Sequence, residues 1–384
     1  MRRQRQLRRL AVTGGWRWIV TLVASAVVGV LLATGGCASL LGIPSEISEQ
    51  EGGVGSDSSS DGRPSLTDQS SPPADQVSPK LDAGPDALAV DAADAAGPTC
   101  DVTKNFGTPV LIASLSTPDH ESLARLTDDQ LTVFFEAVRL PSSDAGSDSG
   151  VDGSAPHHLY TATRATQDAP FGPVTLVPGV GGADEDRAPS VTSDLLTIFF
   201  SRRTFDDDSI DIYKAERSSV TDPFDTGSAI ANLDVPTDSE ITPFVRGDGT
   251  EIWFAAIRPP STTADIQLAT FAVNTGYAVT TPTNVNTGFA DETHPVISRD
   301  GLALYFASNR FGGIKGNNTN IWIATRTSTS ADFGTPKQLN ATGINTAANE
   351  EPSWISPFGC RLYFTSNRAG GAGRSDLYLA IRPM

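Results

Sequence analysis

Aromatic residues are missing from nearly the first third of this 384-residue chain: after Trp18 none occurs until Phe106, and from there they recur to the C-terminus. A stretch without aromatics cannot build a packed core, so the folded part is expected to begin near residue 100. Basic residues are also scarce, with 28 Lys and Arg against 45 Asp and Glu and a formal net charge of −17. That balance repels phosphate backbones and excludes nucleic acid as a partner. There are only three cysteines and four histidines, His120, His157, His158 and His294. Their scatter gives no metal-ligand spacing, and His120-Glu121 lacks the second histidine of a zincin helix. No Gly-x-Ser-x-Gly elbow is present, which excludes a fused serine hydrolase. The expectation is no catalytic residue, no metal and no cofactor, with calcium at an acidic loop as the one alternative.

What is present begins with Arg2, Arg3, Arg5, Arg8, Arg9 and Arg17, followed by an apolar run from Ile19 to Ala33. The run is shorter than the roughly 20 residues of a spanning helix and reads as a secretion signal. It ends at Thr34-Gly35-Gly36-Cys37, which resembles the bacterial lipobox, with Thr34 where that motif usually has Leu. The resemblance implies a signal peptide over 1–36, removal before Cys37 and lipidation of that cysteine. Ala38-Ser39 follows, without the Asp that retains lipoproteins at the inner membrane, so the resemblance implies the outer membrane, at its periplasmic side or the cell surface. Residues 37–100 then form a Ser, Gly, Pro and Asp-rich tether, too polar to offset its chain entropy by burial. Membrane contact is expected through the lipid alone.

Residues 101–384 repeat. Glu292-Thr-His-Pro295 through Asp300-Gly301 to Leu304-Tyr305-Phe306-Ala-Ser-Asn309-Arg310 returns as Glu350-Glu-Pro352 through Gly359 to Leu362-Tyr363-Phe364-Thr-Ser-Asn367-Arg368. Worn copies run from Pro189 to Phe200 and from Pro243 to Phe254, and the most degraded runs from Leu126 to Phe135. Each copy continues into an alternating strand such as Asp211-Ile-Tyr213-Lys-Ala-Glu-Arg217 or Asp376-Leu-Tyr378-Leu-Ala-Ile-Arg382. A third element follows, as in Phe333-Gly-Thr-Pro, but the last copy lacks it, and Phe106-Gly107-Thr108-Pro109 stands alone before the first. The reading is all-β: one β-propeller of five four-stranded blades, with six as the alternative, closed by an N-terminal strand.

The pattern Pro-x-x-Ser-x-Asp-Gly-x-x-Leu-Tyr-Phe-x-Ser-Asn-Arg followed by Asp-Leu-Tyr resembles the TolB-type, WD-like propeller repeat. Those propellers have six blades where five are counted here, and their N-terminal α/β domain has no counterpart. Ring closure puts Cys100, ahead of the closing strand, at the same end as Cys360, in a turn of the last copy, so an exported chain is expected to join them. Acids recur ahead of each first strand, Glu121, Asp186, Glu240, Glu292 and Glu350, and arginines after the second, Arg139, Arg203, Arg258, Arg310 and Arg368. They form either an axial charged ring or salt bridges within blades, and repetition in every copy favours the latter. Features that break the repeat are better binding candidates: the insertion from Pro141 to Pro156 that ends at His157-His158, and Asp206-Asp207-Asp208. The expected function is a non-catalytic envelope lipoprotein, monomeric, whose propeller binds or scaffolds an envelope protein or polysaccharide. The alternative is a propeller glycosidase or carbohydrate-binding protein, since such rings can set two carboxylates about 5 to 9 Å apart across a pocket.

Overall fold

The computed structural model describes residues 100–138, 156–180, 185–203, 209–313, 318–339 and 341–384. The signal peptide, Cys37, the tether to residue 99, Arg139, the insertion up to residue 155 and Asp206 to Asp208 lie outside the described residues. Among those residues every regular element is a strand.

Twenty strands form five four-stranded antiparallel sheets. Blade 1 contains β2 (His120–Leu126), β3 (Thr132–Val138), β4 (His158–Thr163) and β5 (Thr175–Leu176). Blade 2 contains β6 (Glu185–Val191), β7 (Thr197–Arg203), β8 (Ile210–Glu216) and β9 (Ser228–Ala229). Blade 3 contains β10 (Ser239–Arg246), β11 (Glu251–Ile257), β12 (Ala264–Ala272) and β13 (Gly276–Thr280). Blade 4 contains β14 (Glu292–Ile297), β15 (Ala303–Ser308), β16 (Asn320–Thr325) and β17 (Lys337–Gln338). Blade 5 contains β18 (Glu350–Ile355), β19 (Arg361–Ser366) and β20 (Asp376–Ile381), and its outermost strand is β1 (Val110–Leu111), which pairs Val110 with Leu379 and Leu111 with Tyr378. The first strands β2, β6, β10, β14 and β18 pack each against the next, and β18 returns to β2. The ring is therefore a five-bladed propeller closed by its N-terminal strand.

The second strand of each blade is packed on both faces and reads as an almost continuous apolar run, as in Ile252-Trp253-Phe254-Ala255-Ala256. Phe135, Phe200, Phe254, Phe306 and Phe364 occupy one register position in the five blades and are all essentially inaccessible. Each contributes about 1.5 to 3 kcal/mol by burial. Four of the outermost strands, β1, β5, β9 and β17, are two residues long, which leaves little free edge for another chain to pair with.

The turn between first and second strands needs a left-handed residue nine positions after the recurrent acid. Gly249, Gly301 and Gly359 supply it at φ 87°, 72° and 72°, whereas blades 1 and 2 place Gln130 and Leu195 there at φ 63° and 61°. An arginine at the end of the third strand caps that residue's carbonyl: Arg164 on Gln130, Arg217 on Leu195, Arg326 on Gly301 and Arg382 on Gly359, at 2.7 to 2.9 Å. Each guanidinium also lies over the aromatic ring that opens the blade's outer element, Phe171, Phe224, Phe333 and Phe106. Blade 3 has no such arginine, and the Tyr277 hydroxyl donates to the Gly249 carbonyl at 2.7 Å instead. Phe106 thus performs for blade 5 what Phe333 performs for blade 4, although it lies at the other end of the sequence.

Cys100 and Cys360 are disulfide-bonded with their Cα atoms 5.6 Å apart. The bond joins the residue ahead of the closing strand to the turn between β18 and β19.

Candidate functional site

Every first strand carries a bulge in its pairing with the second. In blades 1 to 4 the residue two beyond the recurrent acid, Leu123, Ala188, Thr242 or His294, has φ between 53° and 55°. Its freed N–H donates across a blade seam in all four: Leu123 to Thr365 Oγ1, Ala188 to Glu136 Oε2, Thr242 to Ser201 Oγ and His294 to Thr242 Oγ1. In blade 5 the position is Pro352, which has no N–H to give.

Glu136 stands out among the acceptors. In β3 it occupies the register position held by Ser201, Ala255, Ala307 and Thr365 in the other blades. A hydroxyl there accepts the bulge N–H, so a carboxylate is larger and more polar than the fold requires. Glu136 is buried, takes the Ala188 N–H on Oε2 at 2.7 Å and accepts from Ser122 Oγ on Oε1 at 2.5 Å. His157 Nδ1 lies 3.5 Å and His120 Nε2 3.9 Å from Oε1, and the two imidazoles meet edge to face at 4.9 Å. Burial pushes the Glu136 carboxyl up, but the imidazoles of His120 and His157 beside it and the charge of Arg187 outweigh it and hold the group well below the usual carboxylate range. His157 Nδ1 is itself buried without a hydrogen-bond partner.

Toward the opposite end of β2 the axis opens into a cavity of about 260 Å³, lined from all five first strands by Arg125, Ser190, Phe244, Ile297 and Trp354 among others. Arg125 is 2% exposed and replaces the Ser190, Phe244, Val296 and Trp354 of the other blades. Its guanidinium lies 4.8 Å over the Phe244 ring, with Nη2 3.5 Å from the Pro243 carbonyl, while Nε and Nη1 have no partner. Burial lowers its pKa to about 9, opposed by the charge of Glu136, so the group is cationic at neutral pH. Nearby charges are already engaged: Arg246 holds Glu251 at 2.9 Å, and Asp248 accepts the Thr250 N–H.

The five recurrent acids are fully buried and none lines this cavity. Four are held by partners. Glu121 accepts from the Thr117 N–H and hydroxyl, Glu292 from Thr287, Ser308 and Arg310, and Glu350 from Thr346, Ser366 and Arg368. Asp186 is bound bidentately by Arg202, the neighbour of Arg203. Glu240 differs: Val235 and Ala256 stand where blades 4 and 5 have a threonine and a serine, Arg258 pairs with Asp238, and both carboxylate oxygens are without a hydrogen bond. Burial, then the charges of Asp211 and Asp238, push its pKa up to about 8.

His158 is set apart from the cluster of His120 and His157. It sits where the other blades have Asp211, Asp265, Asn320 and Asp376, and burial lowers its pKa against the charge of Asp186. The signal that reveals Glu136 and Arg125 is departure from the repeat inside a strand, as distinct from the loops where departures were expected.

No protein-family model and no curated protein matches the chain. Among solved structures it is similar to TolB from Acinetobacter baumannii, at 14% identity and a TM-score of 0.39 over 68% of this chain and 54% of that one. It is also similar to a putative TolB from Agrobacterium tumefaciens, at 15% identity and a TM-score of 0.42 over 72% and 91% of the two chains. A glycosyl hydrolase from Bacteroides ovatus gives 12% identity and a TM-score of 0.44 over 73% and 95%. The chain spans about half the length of the Acinetobacter protein.

Proposed function

We propose that this chain is an envelope lipoprotein, anchored through Cys37 in the outer membrane, whose propeller is a non-catalytic binding module that receives an anionic group of an envelope partner in its axial cavity. The observation that supports this is Arg125, a buried cation with incomplete hydrogen bonding on the lining of a cavity wide enough for a carboxylate- or phosphate-bearing group. Leaving such a group unsatisfied costs about 1 to 3 kcal/mol or more, which a bound anion would return. Phe244 and Trp354 beside it offer flat apolar surface to the rest of the ligand. The tether supports the same reading, because anchoring holds the module close to partners in the envelope.

The second reading, a glycoside hydrolase or carbohydrate-binding protein, is favoured by three carboxylates among the residues that line the cavity, Asp128 from blade 1 and Asp248 and Glu251 from blade 3. One experiment separates them. The purified full chain is titrated calorimetrically with acidic and neutral oligosaccharides and with acidic peptides, and each glycan is checked for cleavage. Binding of acidic ligands alone, weakened about tenfold or more in Arg125→Met, is the expected result. Cleavage of a glycan would establish the hydrolase, and equal binding of neutral and acidic ligands would overturn the anion site.

A further inference from the structure

We propose that His120, Glu136 and His157 form a site for one divalent transition-metal ion of the zinc class at the end of β2 opposite the cavity.

Three observations converge on it. First is donor geometry. The nearest ligand atoms of the three residues all lie within 4.8 Å of one another, with 3.5 Å from His157 Nδ1 and 3.9 Å from His120 Nε2 to Glu136 Oε1. A tetrahedral ion with bonds of about 2.0 to 2.2 Å requires donors about 3.4 Å apart, so side-chain adjustments of under about 1 Å would complete the set. Two imidazoles and a carboxylate match zinc, copper or nickel better than calcium, which prefers six or more oxygens.

Second, the surroundings are those of a metal ligand set. The Ala188 N–H fixes Glu136 by Oε2 and leaves Oε1 turned to both histidines. Such outer bonds orient a ligating carboxylate. Ser122 Oγ bridges His120 Nε2 at 3.0 Å and Glu136 Oε1 at 2.5 Å, and so stands where a fourth ligand or a water would be. His157 Nδ1, buried without a hydrogen bond and 3.5 Å from Glu136 Oε1, faces the point where an ion would sit.

Third, the blade does not need these residues. At the His120 position the other blades carry Glu185, Ser239, Asp291 and Asn349, and at the His157 position Ile210, Ala264, Thr319 and Ser375. With Glu136, all three departures occur in one blade and meet at one point.

The probe is the metal alone. The untagged full chain is freed of metal with a chelator and titrated with zinc by calorimetry and with cobalt(II) by visible absorption. One equivalent should bind, with the intense bands of a four- or five-coordinate cobalt site. Replacing one ligand, in His157→Gln or in Glu136→Gln, which keeps an acceptor for the Ala188 N–H, should weaken binding at least about 100-fold, beyond what outer-shell changes cost. His158→Gln should leave it unchanged. Thermal unfolding of each variant shows whether the ring is intact. Absence of stoichiometric binding in the unaltered chain, or binding that survives both the His157 and Glu136 substitutions, would overturn the proposal. The Arg125→Met variant, which removes the anion site, should bind metal normally.

Discussion

Glu240→Gln should stabilise the propeller, and the gain should grow with pH. In the folded chain the carboxyl is held near 8 against an ordinary 4.5, because it is buried without a hydrogen bond and faces Asp211 and Asp238. Between those two values the folded state binds a proton that the unfolded chain has released, so stability falls as pH rises. The loss begins near the unfolded value and is complete above the folded one. At about 1.4 kcal/mol per pH unit the full difference approaches 5 kcal/mol, and relaxation around the charge brings the expectation to about 3 kcal/mol. Glutamine has nearly the same shape and no charge, and its amide can donate to Asp211 or Asp238. Urea denaturation of both proteins at about pH 5 and about pH 9 should show near-equal midpoints at the lower pH and a more resistant variant at the higher. Comparing the two proteins isolates Glu240, since Asp265, Glu292 and Glu350 are also raised by burial and act in the same direction in both. A difference that does not change with pH, or a wild-type chain that gains stability above about pH 5 relative to the variant, would refute the assignment of an unpartnered carboxyl.

The remaining expectations concern structure and binding. Arg125→Met should leave the unliganded ring as stable as before or more stable, because a buried unpaired cation is exchanged for an apolar chain of similar length, with thermal unfolding as the check. Cys360→Ser should cost about 3 to 5 kcal/mol, measured by denaturation under oxidising conditions, since the disulfide closes a loop of 260 residues. Tyr277→Phe should cost about 1 kcal/mol through loss of the hydrogen bond to the Gly249 carbonyl, and Tyr277→Arg should restore part of it if the residue substitutes for the missing arginine of blade 3.

Much of the fold could be read from the residues because each blade repeats the same local instructions. The left-handed residue nine positions after the acid and the aromatic at the centre of the second strand are short-range relations, as is the terminal arginine over a phenylalanine in blades 1, 2 and 4. Even the closure was legible, since Phe106-Gly107-Thr108-Pro109 repeats Phe333-Gly334-Thr335-Pro336. The site was not legible for the same reason. His120 and His157 are separated by all of β3 and by the insertion, and only the antiparallel register of blade 1 brings them to Glu136. Glu136 and Arg125 lie within strands whose alternation reads as packing alone. The copy that looked most degraded is the one that carries both the histidine cluster and the buried arginine, so part of its departure from the repeat gathers at two points, one at each end of β2.

The disulfide also decides how the ring would carry a pull. Tension arriving along the chain from residue 99 enters the folded body at Cys100 and passes through a covalent bond into the turn between β18 and β19, well inside the last blade. The closing strand β1, held by only two paired residues, lies beyond that point and takes none of the load. A propeller tugged at its N-terminus would otherwise unzip from its shortest strand; here the line is moored to the hull and the latch hangs slack.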